Sequence, residues 1–255
     1  MAWLLILSLA GKIAAWVVGW NAPVLALALW FGPDFLIAYH LLVPNARGIV
    51  PMRRRFRTER KEVWLTIDDG PDPEDTPRLL ALLAQHQARA TFFVIGERAA
   101  QHPGLIRAIV AAGHEIAHHT QTHPLAAFWC ASPGRLAREL DEPTRILEAQ
   151  GVQVARFRPP AGIKNPWLAG ALRARSLTPI GWSARGLELW ARGPEPVADR
   201  VLRKVAPGAI LLMHEGPRIP AVIRVAAIGC VLERLRAAGY RCVVPEAAQL
   251  AERTN

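Results

Sequence analysis

Residues 65–73 read LTIDDGPDP, an apolar β-type run that ends in two adjacent carboxylates, Asp68 and Asp69, and is closed by Gly70 and Pro71. Neighbouring side chains on a strand point to opposite faces. Two carboxylates in a row can therefore serve one site only where the strand ends and the backbone turns. Asp-Gly-Pro is also ordinary turn chemistry, so the stretch reads either as a plain turn or as a turn that carries a site.

Working outward, the chain alternates short apolar runs with amphipathic ones. Strands are expected over 63–67, 90–95, 114–118, 154–158, 178–182, 209–213 and 241–244. Between them, Thr76-Pro77, Ser132-Pro133 and Asn165-Pro166 read as capping residues followed by proline at the first helical position, and Gly113, Gly151 and Gly239 stand where helices should stop. Seven strands alternating with helices imply an α/β architecture with a parallel sheet, in which functional groups gather at the strands' carboxyl ends. Asp68 and Asp69 follow the first strand, His118, His119 and His123 the third, Arg158 ends the fourth and His214 the sixth. Plain turn aspartates have no reason to be matched by histidines on the same rim.

His119 and His123 are spaced i to i+4, which on a helical turn would put both rings on one face. Two imidazoles and a carboxylate with open positions make a site for a catalytic divalent metal. One aspartate would complete the ligand set, and its neighbour would take a proton from water whose pKa the metal lowers from 15.7 towards ~7. Arg158 would keep that base ionised and oriented, and His214 is placed to protonate a leaving amine.

The chain has 255 residues and a formal charge of +10, from 31 basic and 21 acidic residues. Such a balance favours anionic surfaces. No nucleic-acid-reading motif accompanies it, so the membrane is the preferred partner and nucleic acid is not expected. Cys130, Cys230 and Cys242 are far apart and unpaired by motif, which argues against a disulfide framework or a thiolate metal site.

Residues 1–44 hold only Lys12 and Asp34 as fully charged groups. Each half approaches the ~20 residues that span a bilayer. A helical hairpin turning near Asn21-Ala22-Pro23 is expected, with a single span over 13–31 as the rival. Trp3, Trp16, Trp20 and Trp30 suit an interfacial aromatic belt or packing between the helices. The basic stretch MRRRFRTERK, 52–61, lies in a linker over 45–61 and by the positive-inside rule stays in the cytoplasm. The expected organisation is thus an anchor in a bacterial-type inner membrane, that linker, a continuous domain over 62–250 facing the cytoplasm, with the periplasm as the alternative, and a tail over 251–255.

LTIDDGP, HTQTHP at 119–124, RPPAG at 158–162 and ILLMHEG at 210–216 resemble, in order, the first, second, third and fifth motifs of the polysaccharide deacetylase family. This is the NodB-homology group, carbohydrate esterase family 4. The resemblance covers 62–250 and implies a distorted (β/α)7 barrel. It implies removal of an acetyl group from an amino sugar of a glycan or glycolipid, with one divalent metal, zinc or alternatively cobalt or nickel. It makes Asp68 the base, Asp69, His119 and His123 the metal ligands, Arg158 the residue orienting the base and His214 the acid. Pro160 and Ala161 would face the substrate, with the residue 161 N–H helping to hold the oxyanion, and Trp182 and Leu212 would line a pocket for the acyl methyl.

Two positions depart from the family's pattern. Ala161 stands where an aromatic residue is common, and in GWSARGLELW Arg185 stands where an aspartate would support the acid histidine. Arg185 then either binds an anionic group of the substrate, such as a phosphate, or pairs with Glu188 or Glu215. O-acetyl ester hydrolysis, deformylation, and a carbohydrate-binding protein without turnover are the alternatives to N-deacetylation.

Overall fold

The computed structural model describes residues 2–250, so the expected tail over 251–255 lies outside the described residues. Two apolar helices come first, α1 (Ala2–Val18), prolonged by a 3-10 turn (Gly19–Asn21), and α2 (Pro23–Leu42). Both are long and apolar enough to cross a bilayer. The chain reverses at Ala22, with φ −145°, so 13–31 is not one helix. At Gly11 an added Cβ would meet the Leu29 carbonyl oxygen at 2.4 Å, and this absence of a side chain lets the two helices approach closely. Lys12 pairs with Asp34 across the hairpin at 2.7 Å, and Ser8 donates to the same carboxylate at 2.5 Å. Trp3 meets His40 edge-on, so the start of α1 and the end of α2 lie together.

The rest is a curled parallel sheet with helices outside. Its strands are β1 (Glu62–Asp68), β2 (Ala90–Val94), β3 (Glu115–His118), β4 (Arg156–Phe157), β5 (Thr178–Pro179), β6 (Ala184–Arg185), β7 (Ala209–His214) and β8 (Arg241–Cys242). The order is β5-β4-β3-β2-β1-β7-β6, with β8 pairing the start of β1. The helices are α3 (Asp75–Gln85), α4 (Gly96–Gln101), α5 (Pro103–Ala111), α6 (Pro133–Glu148), α7 (Leu168–Arg173), α8 (Pro194–Leu202), α9 (Arg224–Ala237) and α10 (Ala247–Leu250). Ser132 caps α6 as expected, its hydroxyl accepting from Arg135 N. Gly113, Gly151 and Gly239 follow α5, α6 and α9 with φ near +78°, a conformation that costs glycine nothing.

The strand expected over 178–182 is shorter, and a further one follows it. The run over 178–182 pairs with β4 only at Thr178 and Pro179, and a separate short strand, β6, pairs with β7. Between the two strands lies Trp182, buried in one apolar cluster with Trp64, Phe93 and Leu212. β1 is buried along its whole length, as a central parallel strand must be. Val63, Leu65 and Ile67 face the helices, while Trp64 packs inside the curl. Alternation therefore also aims Thr66 and Asp68 inward.

The curl is completed by the segment that was expected to be a basic linker. Arg53 bridges to Ile180 and Arg55 to Ala209, so this stretch spans the seam between β5 and β7. Ile49, Val50, Met52 and Phe56 are buried beneath it. Leu4 and Leu41 of the hairpin join Phe128, Leu136, Phe157 and Leu168 in one apolar cluster, and Lys164 N donates to Leu41 O at 2.8 Å.

Candidate active site

Parallel register puts the groups of interest on one rim. Asp68 lies opposite Phe93 of β2 and His214 of β7, and His118 opposite Val94 and Phe157. Asp68, the last residue of β1, points into the curl. Asp69 adopts φ +75°, a left-handed turn that swings the second carboxylate to the same side. The LTIDDGPDP stretch thus resolves into a turn that carries a site. Beneath it, Asp72 Oδ1 accepts from the backbone N–H groups of Glu74 and Asp75 and starts α3.

His119 and His123 also meet at this rim, but not from a helix. Residues 119–123 form a loop in which Thr120 and His123 have φ +70° and +53°. The loop is tied down by Glu139 of α6, whose carboxylate accepts from the backbone N–H groups of Gln121 and Thr122. These bonds make the loop worth more than the helical turn that the i to i+4 spacing suggests.

His119 Nε2 lies 3.6 Å from Asp69 Oδ1 and His123 Nε2 3.3 Å from it. Ligand atoms of Asp69, His119 and His123 all fall within 4.8 Å of one another, and all three residues are buried. Asp69 Oδ1 is a buried oxygen without a hydrogen-bond partner, which an ion would satisfy. His119 Nδ1 lies 2.7 Å from the Arg158 carbonyl oxygen. Because a carbonyl only accepts, Nδ1 holds the proton and Nε2 keeps its lone pair free to ligate. Burial drives the pKa of His119 down to about 4 and that of His123 to about 3, so both rings are neutral, as ligands must be. The residues therefore fit a divalent metal. His123 fits in one arrangement only. Arg218 Nη1 stands 2.5 Å from its Nδ1, and a guanidinium only donates. The proton then sits on Nε2, and Arg218 has to leave before that nitrogen can ligate.

Arg158 is fully buried and spends its donors in four directions. Nη1 donates to Asp68 Oδ1 at 2.6 Å and to Thr66 Oγ1 at 2.8 Å, Nε to Ile180 O and Nη2 to Gly181 O, while the guanidinium rests on the Phe93 ring, 4.2 Å from its centroid. Asp68 is therefore held in one rotamer. Burial raises its pKa, opposed by the Arg158 charge, which makes it more basic than an exposed aspartate.

His214 Nδ1 faces Glu188 Oε1 at 3.1 Å. Burial lowers the histidine's pKa, but Glu188, with Asp68 and Asp69 beyond it, more than reverses this and lifts it to about 9. Arg185 had left the acid histidine without an acidic partner, and the sequence treated Glu188 only as a mate for Arg185. Leu187, at φ +57° and ψ +47°, turns the chain so that Glu188 faces inward and is buried. The signal available in the sequence was a glutamate three residues beyond the expected aspartate, in a motif otherwise departing from its pattern. Arg185 is exposed and has no ion pair among the described residues.

A pocket of about 260 Å³ joins these groups, walled by Ala161, Trp182 and Leu212 and rimmed by Leu189, Trp190, Arg185 and Arg218. Ala161 sits at φ +50° with its residue exposed at the mouth. Pro160 is buried behind the lining and does not reach the pocket. Glu215, beside His214, is buried under the Asp68-Asp69 turn, where an added Cβ on Gly70 would lie 1.8 Å from its Oε1.

A buried aspartate held by an arginine, a histidine held by a glutamate and an Asp-His-His group able to hold a metal ion meet around one small pocket, the parts that metal-assisted hydrolysis calls for. Residues 56–179 match the profile of the polysaccharide deacetylases. The chain is 40% identical over 164 residues to the chitooligosaccharide deacetylase of Sinorhizobium fredii, covering 64% of this chain and 75% of that protein. With the peptidoglycan-N-acetylglucosamine deacetylase of Bacillus cereus it shares 34% over 185 residues, 72% and 85% of the two chains. It belongs to the polysaccharide deacetylase family, carbohydrate esterase family 4. Among solved structures, a peptidoglycan N-acetylglucosamine deacetylase superposes with a TM-score of 0.70 at 28% identity, over 74% of this chain and 88% of the other. A family 4 pseudoenzyme from Bacillus anthracis superposes with a TM-score of 0.66 at 28% identity, over 74% and 65%. Relatives of this kind hydrolyse N-acetyl amide bonds, and the chain is a hydrolase of the deacetylase type acting on an acetylated amino sugar.

Proposed function

We propose that this chain removes the N-acetyl group of an amino sugar by attack of water on the amide carbonyl, with Asp68 as base and His214 as acid. The observation that carries this reading is the pairing of opposite devices around one pocket: Asp68 locked by Arg158 at 2.6 Å and His214 locked by Glu188 at 3.1 Å. A divalent metal held by Asp69, His119 and His123, zinc or alternatively cobalt or nickel, would polarise the carbonyl and make water more acidic. Asp68 takes the water's proton at a carboxylate oxygen. His214, held through Nδ1, presents Nε2 to the pocket and delivers its proton to the departing amine. Trp182 and Leu212 give the acyl methyl an apolar wall, and the N–H of residue 161 is a donor for the developing oxyanion.

The substrate reading goes one step further. Arg185 and Arg218 flank the mouth beside exposed Leu189 and Trp190, a rim suited to an anionic group with apolar matter next to it. A lipid-linked amino sugar has both, and a hairpin anchored in a bacterial inner membrane with the basic segment in the cytoplasm would place the site within reach of it.

The test is to incubate the purified chain plus zinc with N-acetylated, N-formylated and O-acetylated glycans and glycolipids, following product mass. Acetate release from the N-acetylated members supports the reading. Turnover of the formyl or O-acetyl members alone would transfer it to a deformylase or an esterase, and binding of deacetylated glycan without any turnover would make this a carbohydrate-binding protein. A reporter fused to the carboxyl terminus settles the side, because activity of a periplasm-only reporter would end the cytoplasmic assignment.

A further inference from the structure

A second cleft, of about 750 Å³, runs along the seam that residues 53–56 close. Its wall carries six cations, Arg47, Arg53, Arg54, Arg55, Arg57 and Lys204, and among the described residues no acidic side chain lines it. A run of arginines is ordinarily a solvated charge tract that adopts no fixed shape. Here the backbone is pinned on both sides. Arg53 N donates to Pro179 O at 2.9 Å and Gly181 N to Arg53 O at 2.7 Å, while Phe56 N donates to Gly208 O and Arg57 N to Gln249 O, each at 2.9 Å. Met52 and Phe56 are buried as anchors at either end, and Arg53, Arg54 and Arg55 between them line the cleft. The positive charge is thus preorganised along the cleft.

Position selects the ligand. The cleft begins at Asn45, three residues after α2 ends at Leu42, and Asn45 Nδ2 donates to Trp182 O at 3.0 Å. The end of α2 is itself held to the domain, because Lys164 Nζ donates to Val43 O at 2.5 Å. If the hairpin sits in a bilayer, as the proposed function holds, the cleft opens at headgroup level. Basic pockets in that position bind phosphate headgroups.

We propose that this cleft is a binding site for the phosphate headgroup of an anionic phospholipid, separate from the catalytic pocket and divided from it by Trp182, which lines both. Arginines suit phosphate through paired donors, and a seated headgroup holds the seam segment against β5 and β7.

The test is native mass spectrometry of the full chain in neutral detergent, titrated with phosphatidylglycerol and, separately, phosphatidylcholine. Wild type should retain phosphatidylglycerol selectively. The Arg54→Gln/Arg55→Gln/Lys204→Gln variant should bind it at least tenfold more weakly, whereas Arg54→Lys/Arg55→Lys should lose less, and Arg135→Gln/Arg138→Gln on α6 should change nothing. An unchanged melting midpoint in the triple variant shows that it folds. Equal retention by wild type and triple variant, or equal loss in the α6 variant, overturns the site. Displacement of the lipid by equimolar inorganic phosphate would make it a free-phosphate site, and displacement by an equimolar oligonucleotide a nucleic-acid site; either overturns the proposal. Sedimentation with vesicles after an alkaline carbonate wash reports hairpin insertion separately, and acetate release reports the catalytic reading, so neither failure is confused with this one.

Discussion

The Glu188 carboxylate stands 3.1 Å from Nδ1 of His214 and is the acidic partner that Arg185 had left missing. Since the folded histidine titrates near 9 against an ordinary 6.5, its charged form persists below about 9 and is lost as pH rises through that value. Stability from the pair is fully present below about 6.5 and fades towards 9. Glu188→Gln should therefore move the alkaline limb of kcat to lower pH by about a unit or more, because the removed charge is a leading cause of the shift. The measurement is a kcat–pH profile of both proteins, and an unmoved alkaline limb would deny Glu188 this role.

Arg158 and Asp68 predict a separation of turnover from metal binding. Asp68→Asn should lower kcat by about 10²–10⁴ while the bound metal stays near one equivalent by atomic absorption. Asp69→Ala and His119→Ala should lose metal and turnover together. Full activity of Asp68→Asn would remove it as the base.

Arg218 competes with the metal for His123, since it occupies Nδ1 at 2.5 Å and forces the proton onto Nε2. Arg218→Met should bind zinc or cobalt more tightly, by about tenfold given the size of effects around ligand histidines. Competition against a chromophoric chelator measures this. Weaker binding would mean that Arg218 supports the ligand.

Glu215 is buried at 0% exposure, and burial first, then Asp72 and Asp75, lift its pKa to about 8. A folded pKa raised from about 4.5 means that stability is fullest below 4.5 and falls as pH rises through 8. Glu215→Gln, isosteric and never ionised, should flatten that fall, read as the melting midpoint at pH 5 and pH 8. Thr76 Oγ1 donates to Glu215 Oε2 at 2.6 Å and can serve the amide oxygen equally.

Much of this was legible in the chain. The alternation of Val63, Leu65 and Ile67 with Trp64 and Thr66 announces a buried central strand, and Asp68, His118, Arg158 and His214 were placed at strand ends because period and punctuation are local properties. The apolar halves before residue 44 announced the two helices in the same way. The loop of His119 and His123 was misjudged as a helical turn because Glu139, the residue that fixes it, lies sixteen positions further on. In the chain Glu188 reads only as a mate for Arg185, because the left-handed turn at Leu187 is what aims it inward.

The sequence by itself determined the strand-helix rhythm, the two apolar helices, and which titratable residues sit on one rim, all of which follow from near-neighbour spacing and the sign of hydropathy. Tertiary structure alone decided that Glu188 and not a residue at 185 supports His214, that Arg218 faces His123, and that the arginines of 53–57 wall a cleft instead of trailing in solvent. The first depends on the left-handed turn at Leu187, the second on a contact between residues 95 positions apart, and the third on which distant backbone, near β5, in β7 or at Gln249, pairs with the segment; all three are set by the closure of the whole chain.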